Sequence, residues 1–154
     1  MSCRLAVTGD LTALADLRWR LQTDDAEDFD PAKKAAFIES FVSAAVNHDP
    51  LTRHFVAESG GVIAGAMTVR KVEKIPSPGR PRAFWGYLTN CYVLPQFRSS
   101  GAGSQLLDFV IAWAASEQLE LLTVWPSDRS HPFYERKGFT RPPDPLVLNL
   151  AADA

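Results

Sequence analysis

The stretch from Phe84 to Glu117 constrains the fold more than any other part of the chain. Phe84 to Val93 is aromatic-rich and reads as a long strand, and Leu94-Pro95 ends its ladder because proline has no N–H to contribute. From Gln105 to Glu117 the apolar positions Leu106, Leu107, Val110, Ile111 and Ala114 recur at helical spacing. Between strand and helix lies Arg98-Ser99-Ser100-Gly101-Ala102-Gly103. A loop entering a helix collects unpaired backbone N–H groups at the positive end of the helix dipole, an arrangement that favours an anion. Gly101 and Gly103 let the main chain approach a ligand with no Cβ in the way, Arg98 supplies charge, and Ser99, Ser100 and Ser104 supply hydroxyl donors. The anion expected here is a phosphate, with an ordinary turn and helix cap as the alternative reading of the loop taken alone.

The rest of the chain supplies elements to pack around this unit. Arg4 to Val7 reads as a short strand, followed by Asp10 as the cap of a helix with Leu11, Leu14, Leu17 and Leu21 on one face. Asp30-Pro31 opens a second helix, whose predicted buried face is Ala35, Ile38, Phe41, Val42 and Val46. His54 to Glu58 and Val62 to Val72 form a hairpin around Gly60-Gly61, and the prolines of Ile75 to Pro81 make a loop. Leu119 to Trp125 is expected as a buried strand. Ser130-His131-Pro132 starts a short helix that stops at Gly138, and Leu146 to Leu150 offers a last strand. The order βααβββαβα plus a short β describes one α/β domain over residues 1–154, with a mixed, mainly antiparallel sheet flanked by helices.

Composition removes several classes. A chain of 154 residues with 46% hydrophobic and 22% charged residues can bury roughly two thirds of its unfolded surface in a single core. Its net charge of -2 offers no field for a nucleic acid, and no apolar run approaches membrane-spanning length. Cys3 and Cys91 match neither a disulfide framework nor a metal site, so a cytoplasmic setting and no bound metal are expected.

The phosphate loop does not fit a Walker motif, which needs Gly-Lys before Ser or Thr, nor the dinucleotide fingerprint, which needs a small residue where Leu106 stands. Asn90 to Leu107, with Arg98, Gly101 and Gly103 in the pattern Arg/Gln-x-x-Gly-x-Gly/Ala, instead resembles the coenzyme-A-binding motif of the GNAT N-acetyltransferase superfamily. Pro132-Phe133-Tyr134-Glu135-Arg136-Lys137-Gly138-Phe139 looks like that family's downstream Phe-Tyr-x-x-x-Gly-Phe element.

The resemblance implies a GNAT-like fold and an acetyl-CoA cosubstrate held by Cys91, Val93, Arg98, Ser99, Ser100, Gly101, Ala102, Gly103, Ser104, Ser130 and Tyr134. It implies direct attack of a primary amine, from a small molecule or a peptide, on the thioester, with the Val93 N–H facing the oxyanion and Tyr134 protonating the thiolate. Tyr134 and Asn90 are the candidate catalytic positions. Asn90 stands where some family members carry a glutamate, and a carboxamide cannot take the amine proton. That task then falls to a water relay or to Tyr87, Glu73 or His54. Cys91 lacks an evident activating base and reads as structural. A non-catalytic acyl-CoA-binding or protein-interaction module is the alternative.

Phe133 and Phe139 are expected in the core, and Ser130 as a helix cap. The acidic run Asp24 to Asp30 either attracts a cationic amine or is a solvated loop. Arg70, Lys71, Lys74, Arg80 and Arg82 either meet a coenzyme phosphate or line a solvated edge. Trp85 and Tyr87 serve either a homodimer interface or core packing.

Overall fold

A computed structural model describes residues 1–26, 30–47, 49–141 and 145–150. Its elements are β1 (Ser2–Leu5), α1 (Leu11–Gln22), α2 (Pro31–Val46), β2 (Thr52–Ser59), β3 (Val62–Glu73), β4 (Phe84–Val93), α3 (Ala102–Ser116), β5 (Leu122–Val124) and α4 (His131–Glu135). The five strands lie in chain order in one sheet. β1 to β4 pair antiparallel, and β5 joins β4 in parallel after the α3 crossover.

Alternation along the strands sends side chains to two faces, and a separate cluster grows on each. Phe55, Met67, Val69 and Leu88 pack with Leu106, Leu107 and Val110 of α3 and with Tyr134 of α4. On the other face Val56, Ala66, Tyr92 and Leu94 pack with Leu14 and Leu17 of α1. The result is three layers, with the sheet between α1/α2 and α3/α4.

Several expectations change. β1 begins two residues earlier than the predicted strand. Asp10 does not cap α1: its carboxylate accepts from the Val7 N–H at 2.7 Å and pairs with Arg4 at 2.7 Å. Asp30 does cap α2, accepting from the N–H groups of Ala32 and Lys33. α2 is peripheral, with no fully buried residue; Ala35 and Val46 are exposed, and Ile38, Phe41 and Val42 are half-buried. Its Phe37 and Phe41 instead join Trp19 of α1 and His54 of β2 in a row, Trp19–Phe37–Phe41–His54, with ring centroids 5.7, 6.1 and 6.2 Å apart.

The strand predicted over Leu119 to Trp125 shrinks to Leu122–Val124 and is half-buried, because β5 is the sheet's edge and Trp125 is 60% exposed. Leu146 to Leu150 forms no strand and is exposed: an apolar run makes a strand only where a partner accepts its ladder.

Candidate active site at the splayed end of the sheet

β4 and β5 share only the pairs Gly86↔Leu122, Tyr87↔Thr123 and Leu88↔Val124. β5 then ends while β4 continues to Val93, so one edge of β4 opens. The Leu94 N–H donates to the Ala64 carbonyl on the β3 side at 2.8 Å, so by alternation the Val93 N–H faces the open edge. Gly65 permits the close pairing there, since a Cβ at that position would lie 2.9 Å from the Tyr92 carbonyl oxygen.

Beside this opening is a cleft of about 450 Å³. It is bordered by Cys91, Val93, Arg98, Ser99, Gly101, Ala102, Gly103, Ser104, Ser130 and Tyr134, which are predicted ligand-binding positions drawn from four separate segments. Ser100 does not border it; its hydroxyl donates to the Phe97 carbonyl in the turn.

The loop geometry follows from its letters. Gly101 sits at φ 86°, a left-handed conformation that suits glycine, and α3 starts at the next residue, three residues earlier than the apolar periodicity predicts. The first intrahelical bond runs from the Gln105 N–H to the Gly101 carbonyl at 2.9 Å. The N–H groups of Ala102, Gly103 and Ser104 therefore emerge from the helix start toward the cleft. A Cβ on Gly103 would meet only Val93 and Phe133 at 3.5 and 3.6 Å, so the protein itself tolerates one; what it would occupy is cleft.

Arg98 arches over the loop. Its Nε donates to the Val93 carbonyl at 2.9 Å, its guanidinium lies 5.3 Å from the Tyr92 ring centre, and Nη2 donates to Asp25 at 2.8 Å. Asp25 also accepts from the Tyr92 hydroxyl. Burial first, then the Asp25 bond, push the Tyr92 phenol up to about 12, while bonds from Tyr92 and Arg98 hold the Asp25 carboxyl below its usual range despite desolvation. Sequence reasoning missed this link, since nothing in the local letters joins positions 25, 92 and 98.

Asp25 is thus tied to the loop before α3, Asp24 is exposed, and Glu27 and Asp28 lie outside the described residues. The basic group faces elsewhere: Arg70, Lys71, Lys74, Arg80 and Arg82 pair with Asp49, Glu117, Glu120, Glu120 and Glu73.

At the deep end of the cleft Tyr134 is 6% exposed, with its ring edge-on to Phe133 and Phe139 at 5.0 and 5.5 Å. Its hydroxyl neighbours the Cys91 thiol, which itself donates to the Thr89 carbonyl at 3.6 Å. Burial, followed by the neighbouring thiol, drives its pKa well above the usual phenol value. Desolvation likewise pushes Cys91 up to about 11, so it is a neutral thiol and no nucleophile. Phe133 and Phe139 pack against the α3-side core. Ser130 does not cap α4; its hydroxyl donates to the Ser127 carbonyl at 3.0 Å.

Asn90 sits at φ 55°, and its Nδ2 donates to Thr68 at 3.3 Å. Thr68 Oγ1 lies 2.8 Å from His54 Nδ1. Glu73 is an exposed partner of Arg82, and Tyr87 packs edge-on against Trp125 at 5.3 Å. A larger groove, about 1050 Å³, runs along the β5 edge and touches the predicted site residues only at Tyr134. No metal-holding cluster is found among the described residues, and no described helix is long and apolar enough to cross a membrane.

Residues 11–139 match the family described as acetyltransferase (GNAT). Three solved structures share the fold. A predicted acetyltransferase from Clostridium acetobutylicum, determined with acetyl-CoA, is 23% identical at TM-score 0.73, covering 97% of this chain and 96% of that one. A GCN5-related N-acetyltransferase from Ralstonia eutropha JMP134 is 22% identical at TM-score 0.74, with coverage of 97% and 99%. Glucosamine-6-phosphate N-acetyltransferase from Arabidopsis thaliana is 18% identical at TM-score 0.70, with coverage of 97% and 98%. A comparison with curated proteins finds no match.

Proposed function

This chain belongs to the acetyltransferase (GNAT) family, and we propose that it transfers an acetyl group from acetyl-CoA to a primary amine of a small molecule or peptide by direct attack. The observation that carries this reading is the convergence of the helix start at Ala102 to Ser104, the open β4 edge at Val93 and the buried Tyr134 hydroxyl on one cleft. The residues present suit acetyl-CoA: the glycine-lined cradle and emerging N–H groups fit a pyrophosphate, and the open edge accommodates an extended arm as an added strand. When bound, acetyl-CoA supplies an activated thioester.

The protein's own groups then have separate tasks. The Ala102, Gly103 and Ser104 N–H groups hold the phosphates and fix the register of the arm. The Val93 N–H donates toward the acyl oxygen as it gains charge. Tyr134, kept protonated by burial, delivers its proton to the departing sulfur, and the proton given up by the amine nitrogen leaves through water, from which Tyr134 is reprotonated. The free cysteines suit a cytoplasmic setting.

The absence of a carboxylate at position 90 favours one other reading, an acyl-CoA-binding module without turnover. Release of free thiol from acetyl-CoA across polyamines, aminoglycosides, amino acids and peptide N-termini separates the two. Amine-dependent release supports transfer, whereas tight acetyl-CoA binding with no release supports the module.

A further inference from the structure

Among the described residues, two arginines and no carboxylate border the cleft beside the open β4 edge. Arg98 is already engaged, since its Nε donates to the Val93 carbonyl and its Nη2 pairs with Asp25 at 2.8 Å. The other is Arg136, just past α4, and its guanidinium has no carboxylate partner among the described residues. Its sequence neighbours do have partners. Glu135 accepts from Arg141 at 3.2 Å, and Lys137 pairs with Asp108 at 2.8 Å.

The local backbone places Arg136 at the cleft. Helical geometry continues one residue beyond α4, with Arg136 at φ -62° and ψ -21° and its N–H donating to the Pro132 carbonyl at 3.1 Å. Residues three apart on such a turn share a face, so Arg136 stands on the face of Phe133. The Phe133 ring lies 3.6 Å from where a Gly103 Cβ would be, which sets that face against the start of α3. Tyr134 is 6% exposed and forms the deep end of the cleft, whereas Arg136 is exposed and forms its mouth.

Acetyl-CoA carries its negative charge in two places. A pyrophosphate joins the pantetheine arm to the nucleoside, and a separate phosphate monoester on the ribose 3′ oxygen holds a charge of about -2 near neutral pH. The N–H groups at the start of α3 suit the pyrophosphate. The monoester is a terminal, doubly charged group across the ribose from it, and it calls for a whole cation. Because the thioester must reach Tyr134 at the deep end, the nucleoside stays at the mouth.

We propose that Arg136 binds the 3′-phosphate of the coenzyme, so that the protein selects acetyl-CoA over acetyl thioesters lacking that group; this rests on the acetyl-CoA reading above. A guanidinium presents two parallel N–H groups to phosphate oxygens, and among the described residues bordering the cleft no Asp or Glu competes for them. The division of labour follows from the ion pairs. Arg98, partly neutralised by Asp25, stays with the loop, and the unpaired charge of Arg136 is left for the monoester.

The test uses the full chain and calorimetric Kd values for acetyl-CoA and acetyl-3′-dephospho-CoA at low salt, where an exposed charge is least screened. The wild type should bind acetyl-CoA at least about fivefold more tightly than the dephospho analogue, the range of one charge-assisted contact at an exposed site. Arg136→Gln should weaken acetyl-CoA to the level of the analogue while the analogue's own Kd stays within about twofold of wild type, a comparison that isolates the pair. Arg129 is exposed just before α4 and does not border the cleft, so Arg129→Gln should keep the wild-type ratio.

Equal wild-type affinities for the two ligands overturn the proposal, as does an Arg136→Gln variant that retains the wild-type ratio. Equal weakening of both ligands in Arg136→Gln also overturns it, by assigning Arg136 to the pyrophosphate or to the cleft wall. A ratio that falls as far in Arg129→Gln as in Arg136→Gln replaces the contact with a general surface field and overturns it too. If the wild type binds neither ligand, the acetyl-CoA reading itself fails and takes this inference with it.

Discussion

Tyr134→Phe perturbs the proposed chemistry with little disturbance of the fold. The ring stays in its slot between Phe133 and Phe139, and what is lost is one hydroxyl beside the Cys91 thiol. Removing that neutral hydroxyl should cost about 1 kcal/mol or less, a fall in Tm of roughly 2–4 °C for a chain of this size. The effect on chemistry should be far larger. A positioned acid contributes roughly 10²–10⁴-fold, equivalent to about 2.7–5.4 kcal/mol at 1.36 kcal/mol per decade. Burial raises the phenol's pKa, so the proton is retained as pH rises. Even at the ordinary value of about 10 only about one per cent would be phenolate at pH 8, and here the fraction is lower. The wild type should therefore show no alkaline loss of kcat from this group below about pH 10. The assay is single-turnover acetyl transfer beside direct acetyl-CoA binding and a thermal melt. A variant that folds, binds coenzyme and reacts at the wild-type rate would refute the general-acid role and leave Tyr134 as a packing residue.

Gly103→Ala should fold normally, because a Cβ there meets only ordinary contacts, and Gly103→Val, which adds two methyls at the cleft, should weaken acetyl-CoA affinity at least about tenfold; unchanged affinity of a folded Val variant in calorimetry removes the cradle. Gly101→Ala, forced to φ 86°, should lose about 1 kcal/mol of stability in urea unfolding, and a wild-type midpoint would contradict that strain. Asp25→Asn should tighten acetyl-CoA binding about two- to fivefold at low salt by releasing Arg98 from a competing carboxylate, a gain that about 1 M salt erases; weaker binding would mean that Asp25 holds Arg98 in its working pose. Asp10→Asn should cost about 1–2 kcal/mol near neutral pH, since Arg4 and the Val7 N–H hold its charged form. Arg4 first, then the Val7 bond, lower the Asp10 pKa below 3.8, so this stability is present above about 3.8 and is lost as pH falls through the lower folded value; a gap between wild-type and variant melts that persists at about pH 2 would refute it.

Features set by neighbouring letters were legible without coordinates. The strand at Phe84 to Val93, the turn at Gly60-Gly61, the Asp30-Pro31 start and the glycine loop each follow from covalent geometry and spacing within a few residues. The same locality explains the errors. Leu146 to Leu150 has strand composition, but a strand exists only through a partner's backbone, and among the described residues no such pairing forms. Ala35 and Val46 have helix-face spacing, but burial depends on what lies opposite, and α2 lies at the rim.

The site divides along the same line. By itself the sequence determined the glycine turn that opens the helix after Arg98 to Gly101 and the aromatic pair Phe133-Tyr134, because residue type and local backbone preference suffice for both. Only the tertiary structure decided that Asp25 meets Arg98, that Cys91 lies beside Tyr134, and that Asn90 shares a polar line with Thr68 and His54. Those contacts join residues from 14 to 73 positions apart, through sheet register and a one-residue bulge. Register is a property of paired strands, and a single extra residue turns every later side chain to the other face.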